Sequence, residues 1–129
     1  MSGTVSPRRL MVVDDDPRFG EFVRAVAEPM GYLVEALADA GAFKAALAMA
    51  DADVILLDLT MPGTDGIELL RQLAGRTAAK IVVVSGLDET MRQLAIMLGE
   101  AAGLAMAGSL SKPIRVAELR AALAGLDGA

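Results

Sequence analysis

Five short apolar runs alternate with five segments of helical spacing, and that alternation leaves few folds open. Leu10–Val13, Val54–Leu57 and Ile81–Val84 are apolar at every position, unlike a strand with one wet face, which would alternate. Continuous runs of this kind suit strands covered on both sides. Asp16-Pro17 reads as a helix start, with Asp as N-cap and Pro at the first helical position. Phe19, Phe22, Val23, Val26 and Met30 follow at helical spacing, and Pro29 and Gly31 close the segment. A second strand is expected at Tyr32–Ala36 and a helix at Asp39–Ala50, with Phe43, Ala46, Leu47 and Ala50 on one face. After the third strand, Met61–Asp65 is a turn and Gly66–Leu73 a helix carrying Ile67, Leu70 and Leu73. The fourth strand, Lys80–Val84, leads to a long helix over Asp88–Ala102. Leu104–Leu110 is a fifth, weaker strand, and Val116–Leu126 a last helix with Val116, Leu119, Leu123 and Leu126 aligned. Strands separated by helices in strict alternation form a parallel sheet with helices on both faces, here in one α/β domain.

The core of that domain must be aliphatic. The 129 residues are 54% hydrophobic with a mean hydropathy of +0.49, yet only 3% aromatic, so Val, Ile, Leu, Ala and eight Met fill the interior. The net charge of −5 argues against direct nucleic-acid binding or an anionic-membrane footprint. Neither cysteine nor histidine is present. That excludes disulfides, thiol nucleophiles, imidazole bases and any phosphohistidine on this chain. No apolar run reaches the length of a membrane span, and the opening MSGTVSPRR is too short and polar for a signal peptide. A cytoplasmic location is expected. Residues 1–7 read as a flexible tail, 8–126 as the domain, and 127–129 as a C-terminal tail or the start of a linker.

In an open α/β sheet the chemistry sits at the carboxyl ends of the strands. Here those ends carry Asp14-Asp15, Asp58, Ser85 and Lys112. Asp16 is read as the helix cap only. Ser85 alone would be a turn hydroxyl and Lys112 alone a surface cation. As a set they are different, because acids converging beside Asp58 repel unless a cation joins them. A hard ion such as Mg²⁺ takes carboxylate oxygens, carbonyls and waters, and Asp15, Asp58 and the Thr60 backbone carbonyl can supply three ligands.

VVDDD near the start, LLDLTMPGTDG in the middle, then VVSG and SKP resemble the receiver domain of bacterial two-component response regulators, over essentially the whole chain after the tail. The resemblance implies a flavodoxin-like, CheY-like (βα)5 fold with strand order 2-1-3-4-5. It implies that Asp58 accepts a phosphoryl group from a sensor histidine kinase or histidine phosphotransfer protein. Mg²⁺ (or Mn²⁺) would be held by Asp15, Asp58 and the Thr60 carbonyl, with Asp14 acting through water. Lys112 would pair with a phosphoryl oxygen, Ser85 would bond another and carry the signal outward, and Thr60 and Leu87 would tune the lifetime of the adduct. A cis bond before Pro113 is usual in the family. The domain would act as an enzyme only on itself, in its own phosphorylation and autodephosphorylation. The stretch from Gly86 to Lys112, somewhat longer than usual and ending Gly-Ser-Leu-x-Lys-Pro, resembles receivers joined to cyclic-di-GMP phosphodiesterase (EAL) domains.

Ser109 departs from the pattern, since the family usually has Tyr or Phe there as a rotamer switch. The fourth helix is expected to turn Leu94, Leu98 and Ala102 to the core. Met91, Ile96 and Met97 would then be extra apolar residues, belonging either to a deeper core or to a surface for a homodimer, through the fourth helix, fifth strand and fifth helix, or for a C-terminal output domain absent from this chain. Two other readings of the same residues imply different functions. A degenerate receiver serving only as an interaction module draws on Ser109. A haloacid-dehalogenase-type phosphatase using Asp14, Asp16, Ser85 and Lys112 lacks the acid pair it needs after the Lys and leaves Asp58 without a role. A dinucleotide-binding domain fails because acids, not a Gly-rich loop, follow the first strand.

Overall fold

The computed structural model describes residues 7–86 and 88–126. The residue Leu87, most of the expected N-terminal tail and residues 127–129 lie outside them. Five strands and five helices follow one another: β1 (Arg8–Val13), α1 (Pro17–Ala27), β2 (Tyr32–Leu37), α2 (Ala40–Met49), β3 (Val54–Asp58), α3 (Gly66–Gln72), β4 (Lys80–Ser85), α4 (Glu89–Ala101), β5 (Ala105–Ser111) and α5 (Val116–Ala124). The strands form one parallel sheet in the order β2-β1-β3-β4-β5. This is the flavodoxin-like order expected from the resemblance.

The apolar runs are continuous because each of the central strands β1, β3 and β4 feeds two cores. On one face Met11, Val13, Ile55, Leu57, Ile81 and Val83 pack with Phe43 and Leu47 of α2, Leu69 and Leu70 of α3, and Ala95 of α4. On the other, Leu10, Val12, Val54, Leu56, Val82 and Val84 pack with Val23 and Val26 of α1 and Leu119 and Leu123 of α5. Successive side chains of a strand point to opposite faces, so residues adjacent in β1 or β3 belong to different cores. Burying a side chain such as Leu70, which is 0% exposed, stabilises the fold by about 2 kcal/mol.

The cap expected at Asp16 is present, and three further helices start on the same device. Asp16 accepts a hydrogen bond from the Arg18 N–H with Pro17 at the first helical position, and Asp39, Asp65 and Asp88 cap α2, α3 and α4 in the same way.

Two expectations are corrected. In α4 the buried positions are Ala95 and Gly99, with Ile96 packed partly against the core, whereas Leu94 is 41% exposed. The helix lies close enough to β5 that a Cβ on Gly99 would fall 2.4 Å from the Met106 Sδ. Close approach selects small residues on that face, and the larger Leu94 turns outward. In α5, Val116 is 45% exposed, while Leu119, Leu123 and Leu126 are buried as expected.

The edge of the sheet where the strands begin is tied by hydrogen bonds. Asp51 accepts from the Thr77 hydroxyl (2.5 Å) and the N–H groups of Ala52 (2.8 Å) and Ala78 (3.0 Å). Asp53 accepts from the Arg9 N–H at 2.7 Å, and the Leu126 carbonyl from Arg8 (3.2 Å) and Lys80 (3.4 Å). Among the described residues, no helix is long and apolar enough to cross a membrane.

Candidate functional site

The opposite edge gathers the charged residues singled out in the sequence. Asp58 is the last residue of β3, paired in register with Val84 of β4, and it is 3% exposed. A central strand flanked by β1 and β4 fixes its backbone. The chain then leaves the sheet through Leu59, whose N–H donates to the Val84 carbonyl at 3.0 Å. The start of α3 presses on this exit. A Cβ on Gly66 would lie 2.7 Å from the Leu59 Cα and 2.8 Å from its carbonyl oxygen, so the Asp-Gly pair at 65–66 permits a backbone contact that a side chain would block.

The two oxygens of Asp58 differ. Oδ1 accepts from both the backbone N–H and the hydroxyl of Thr60, each at 2.9 Å. Oδ2 faces the Lys112 Nζ across 3.6 Å. Asp14, one residue past β1, is buried and has both oxygens engaged: Oδ1 accepts from the Asp16 N–H at 2.8 Å, and Oδ2 from Lys112 at 2.5 Å. Asp15 is exposed. One carboxylate oxygen from each of Asp14, Asp15 and Asp58 falls within 4.8 Å of the other two.

Lys112 follows β5 and is brought in by its backbone N–H, which donates to the Ser85 carbonyl at 3.0 Å; its peptide bond to Pro113 is cis. Its ammonium also lies over the ring of Phe19, 4.6 Å from the centroid. Ser85, 0% exposed, ends β4 opposite Ser111. Ser109 is exposed on the edge strand β5.

The electrostatics follow from these contacts. Burial pushes the Asp14 carboxyl above its ordinary value, and the Asp58 charge adds to that, against the pull of the Lys112 and Asp16 hydrogen bonds. Burial works to lower the Lys112 pKa, but the Asp14 hydrogen bond and the charges of Asp58 and Asp14 outweigh it and leave the ammonium above its ordinary value. Asp16 stands apart. Its hydrogen bonds to the Arg18 side chain and N–H hold its carboxyl below the ordinary value, as suits a cap rather than a reactive group.

The structure thus brings Asp14, Asp15, Asp58, Thr60 and Lys112 into one contact set, with Ser85 joined to it through its backbone. The three acids meet one lysine, a surplus of negative charge that a hard divalent cation would neutralise, and all the donors are oxygens. Sequence reasoning missed Phe19, whose helical spacing reads as core. Its one distinguishing signal is its place in the first turn after the cap.

Comparison with known proteins bears on this arrangement. A family model, response regulator receiver domain, matches residues 10–124. The regulatory protein VirG of Agrobacterium tumefaciens is 32% identical over 94 residues, covering 71% of this chain and 35% of that protein. The transcriptional regulatory protein ResD of Bacillus subtilis is 36% identical over 81 residues, 63% of this chain and 34% of that one. The chain therefore spans about a third of the length of these curated relatives. Among solved structures, a CheY-like receiver domain protein from Methanospirillum hungatei superposes with a TM-score of 0.81 at 26% identity, covering 95% of each chain. A response regulator from Burkholderia pseudomallei, with a phosphorylated aspartic acid, a calcium ion and citrate, shares the fold at a TM-score of 0.75 and 22% identity, over 90% of this chain and 66% of that one.

Proposed function

This chain belongs to the response regulator receiver domain family, and from that membership we propose that Asp58 accepts a phosphoryl group from a histidine kinase or histidine phosphotransfer protein. The observation that carries the reading is the asymmetry of Asp58. Thr60 holds one oxygen with two hydrogen bonds, and the other faces Lys112. A lone pair on Oδ2 attacks phosphorus, the bond from phosphorus to the donor's imidazole nitrogen breaks, and that nitrogen keeps the electron pair and takes a proton from solvent. The product is an aspartyl phosphate with no change of oxidation state. Catalysis is positioning and charge compensation. Lys112 moves from its acids to a phosphoryl oxygen, and the Ser85 hydroxyl donates to another. Thr60, exposed beside the site, controls access of the water that later hydrolyses the adduct.

Asp15, Asp58 and the Thr60 carbonyl would hold Mg²⁺ or Mn²⁺. Both oxygens of Asp14 are already engaged, which supports a water-mediated role for it. The ion, when bound, offsets the negative charge that phosphoryl transfer concentrates here.

We assign the receiver unit to residues 8–126, in the cytoplasm, where it switches an output domain or partner. The exposed Met91, Leu94 and Met97 of α4 and Val116 of α5 support a contact surface across α4, β5 and α5, used by a homodimer or by the output. The test is intact mass after incubation with phosphoramidate. We expect one added phosphoryl group in Mg²⁺, none in EDTA and none on Asp58→Asn. A folded wild-type chain that gains no phosphoryl group would overturn the reading in favour of a phosphorylation-independent interaction module.

A further inference from the structure

We infer that Phe19 is a positioning residue for phosphoryl transfer, its ring being the seat that holds the Lys112 ammonium toward Asp58. The inference rests on the phosphoacceptor reading above.

An ammonium has three N–H bonds to direct. At Lys112 one side is taken by Asp14 at 2.5 Å, a second faces Asp58 at 3.6 Å, and the ring of Phe19 lies on a third with its centroid 4.6 Å away. The face of an aromatic ring attracts a cation through its quadrupole without accepting a conventional hydrogen bond. A polar side chain in that place would compete with the incoming phosphoryl oxygens for the same donors. The ring holds the charge on its own side and leaves the N–H bonds toward Asp14 and Asp58 for oxygen.

The seat is rigid for reasons written in the chain. Asp16 caps α1 and Pro17 starts it, and the Phe19 N–H donates to the Asp16 carbonyl at 3.0 Å, which fixes the ring in the first turn. Phe22 supports it from one turn further on, with ring centroids 6.1 Å apart. Phe19 also packs partly against the core shared by α1 and α5. Its outer side lines an open cleft with Phe22, Pro113 and Ile114. The lysine arrives from the other end of the sequence on the loop after β5, so without the ring its ammonium would be set only by two acids, one of which must part from it when phosphate arrives.

The experiment measures phosphorylation rates over a range of phosphoramidate concentrations for the wild type, Phe19→Leu, Phe19→Tyr, Lys112→Ala and the Phe19→Leu/Lys112→Ala double variant. Urea unfolding establishes that each is folded. Phe19→Leu keeps apolar bulk but removes the π face. It should slow the maximal rate by about threefold to tenfold with little change in the half-saturating donor concentration, and Phe19→Tyr should restore the rate. In the Lys112→Ala background the same Leu substitution should have no further effect, which a packing role alone would not produce. The ε-methylene protons of Lys112 should show a ring-current shift that is lost in Phe19→Leu. Equal slowing in both backgrounds, or a rate indifferent to Phe19→Leu, would overturn this inference alone. A wild-type chain that takes no phosphoryl group would overturn it together with the reading on which it rests.

Discussion

Asp15→Asn should make the metal-free protein more stable while removing its stabilisation by Mg²⁺. The substitution keeps the shape of the side chain and deletes one of three like charges. The carboxylate oxygens of Asp14, Asp15 and Asp58 lie within 4.8 Å of one another. Two unit charges at about that distance repel by ~0.9 kcal/mol at the dielectric of water and ~3.5 kcal/mol at an effective dielectric of 20. Asp15 is exposed, so the lower figure applies to each of its two pairs. Its charge is also the uncompensated one, because Lys112 is hydrogen-bonded to Asp14 and faces Asp58. Removing it should therefore add about 1–2 kcal/mol in EDTA, which for a domain of this size raises Tm by roughly 3–8 °C. Mg²⁺ acts in the opposite sense. At about ten times its dissociation constant it should stabilise the folded wild type by ~1.4 kcal/mol, and the variant, short of a proposed ligand, should gain much less. Urea unfolding followed by circular dichroism, in EDTA and in excess Mg²⁺, gives the four free energies. The variant should lead in EDTA, and its lead should shrink or reverse with metal. A variant that unfolds cooperatively but is less stable in EDTA would refute the repulsion argument. Equal stabilisation of both proteins by Mg²⁺ would refute the assignment of Asp15 as a ligand.

Other consequences are as direct. Gly66→Ala places a methyl group against the backbone of Leu59, so it should cost about 1–3 kcal/mol in urea unfolding and slow phosphorylation by displacing the exit from Asp58. Asp51 predicts an acid-side loss of stability. Burial works to raise its carboxyl, but the hydrogen bonds from Thr77, Ala78 and Ala52 prevail and hold it below the ordinary 3.8. The folded state then binds fewer protons than the unfolded one, so this contribution is complete above that value and fades as pH falls through it. Asp51→Asn should accordingly lower stability at pH 7 by about 1 kcal/mol, discounted for solvent exposure, with the gap to wild type closing on acidification in pH-dependent urea melts.

Much of this molecule is legible in its sequence, and the reason is local. Strands buried on both faces leave unbroken apolar runs, and Asp16, Asp39, Asp65 and Asp88 cap helices by bonds to residues two or three positions on. The acids and the lysine stand at strand ends, so topology alone brings them to one edge. What the sequence does not reveal depends on distances between elements. The phase of α4 is set by how closely it approaches Met106, so Ala95 and Gly99 displace the larger residues that hydrophobicity favours. Phe19 is indistinguishable from a core residue until Lys112, ninety-three positions later, is seen above it. Asp51 carries no signal of its role in the sequence, because its partners at Thr77 and Ala78 belong to another loop.

The two ends of the sheet are secured by different forces. Where the strands begin, Asp51, Asp53 and the Leu126 carbonyl are satisfied by complementary donors. Where they finish, three anions crowd one cation. The domain is built like a cantilever, clamped at one end and loaded at the other. Ionic strength acts on the loaded end, as would a metal ion or a covalent charge placed there, and the clamp would give the rest of the chain a fixed reference against which a small deflection is read.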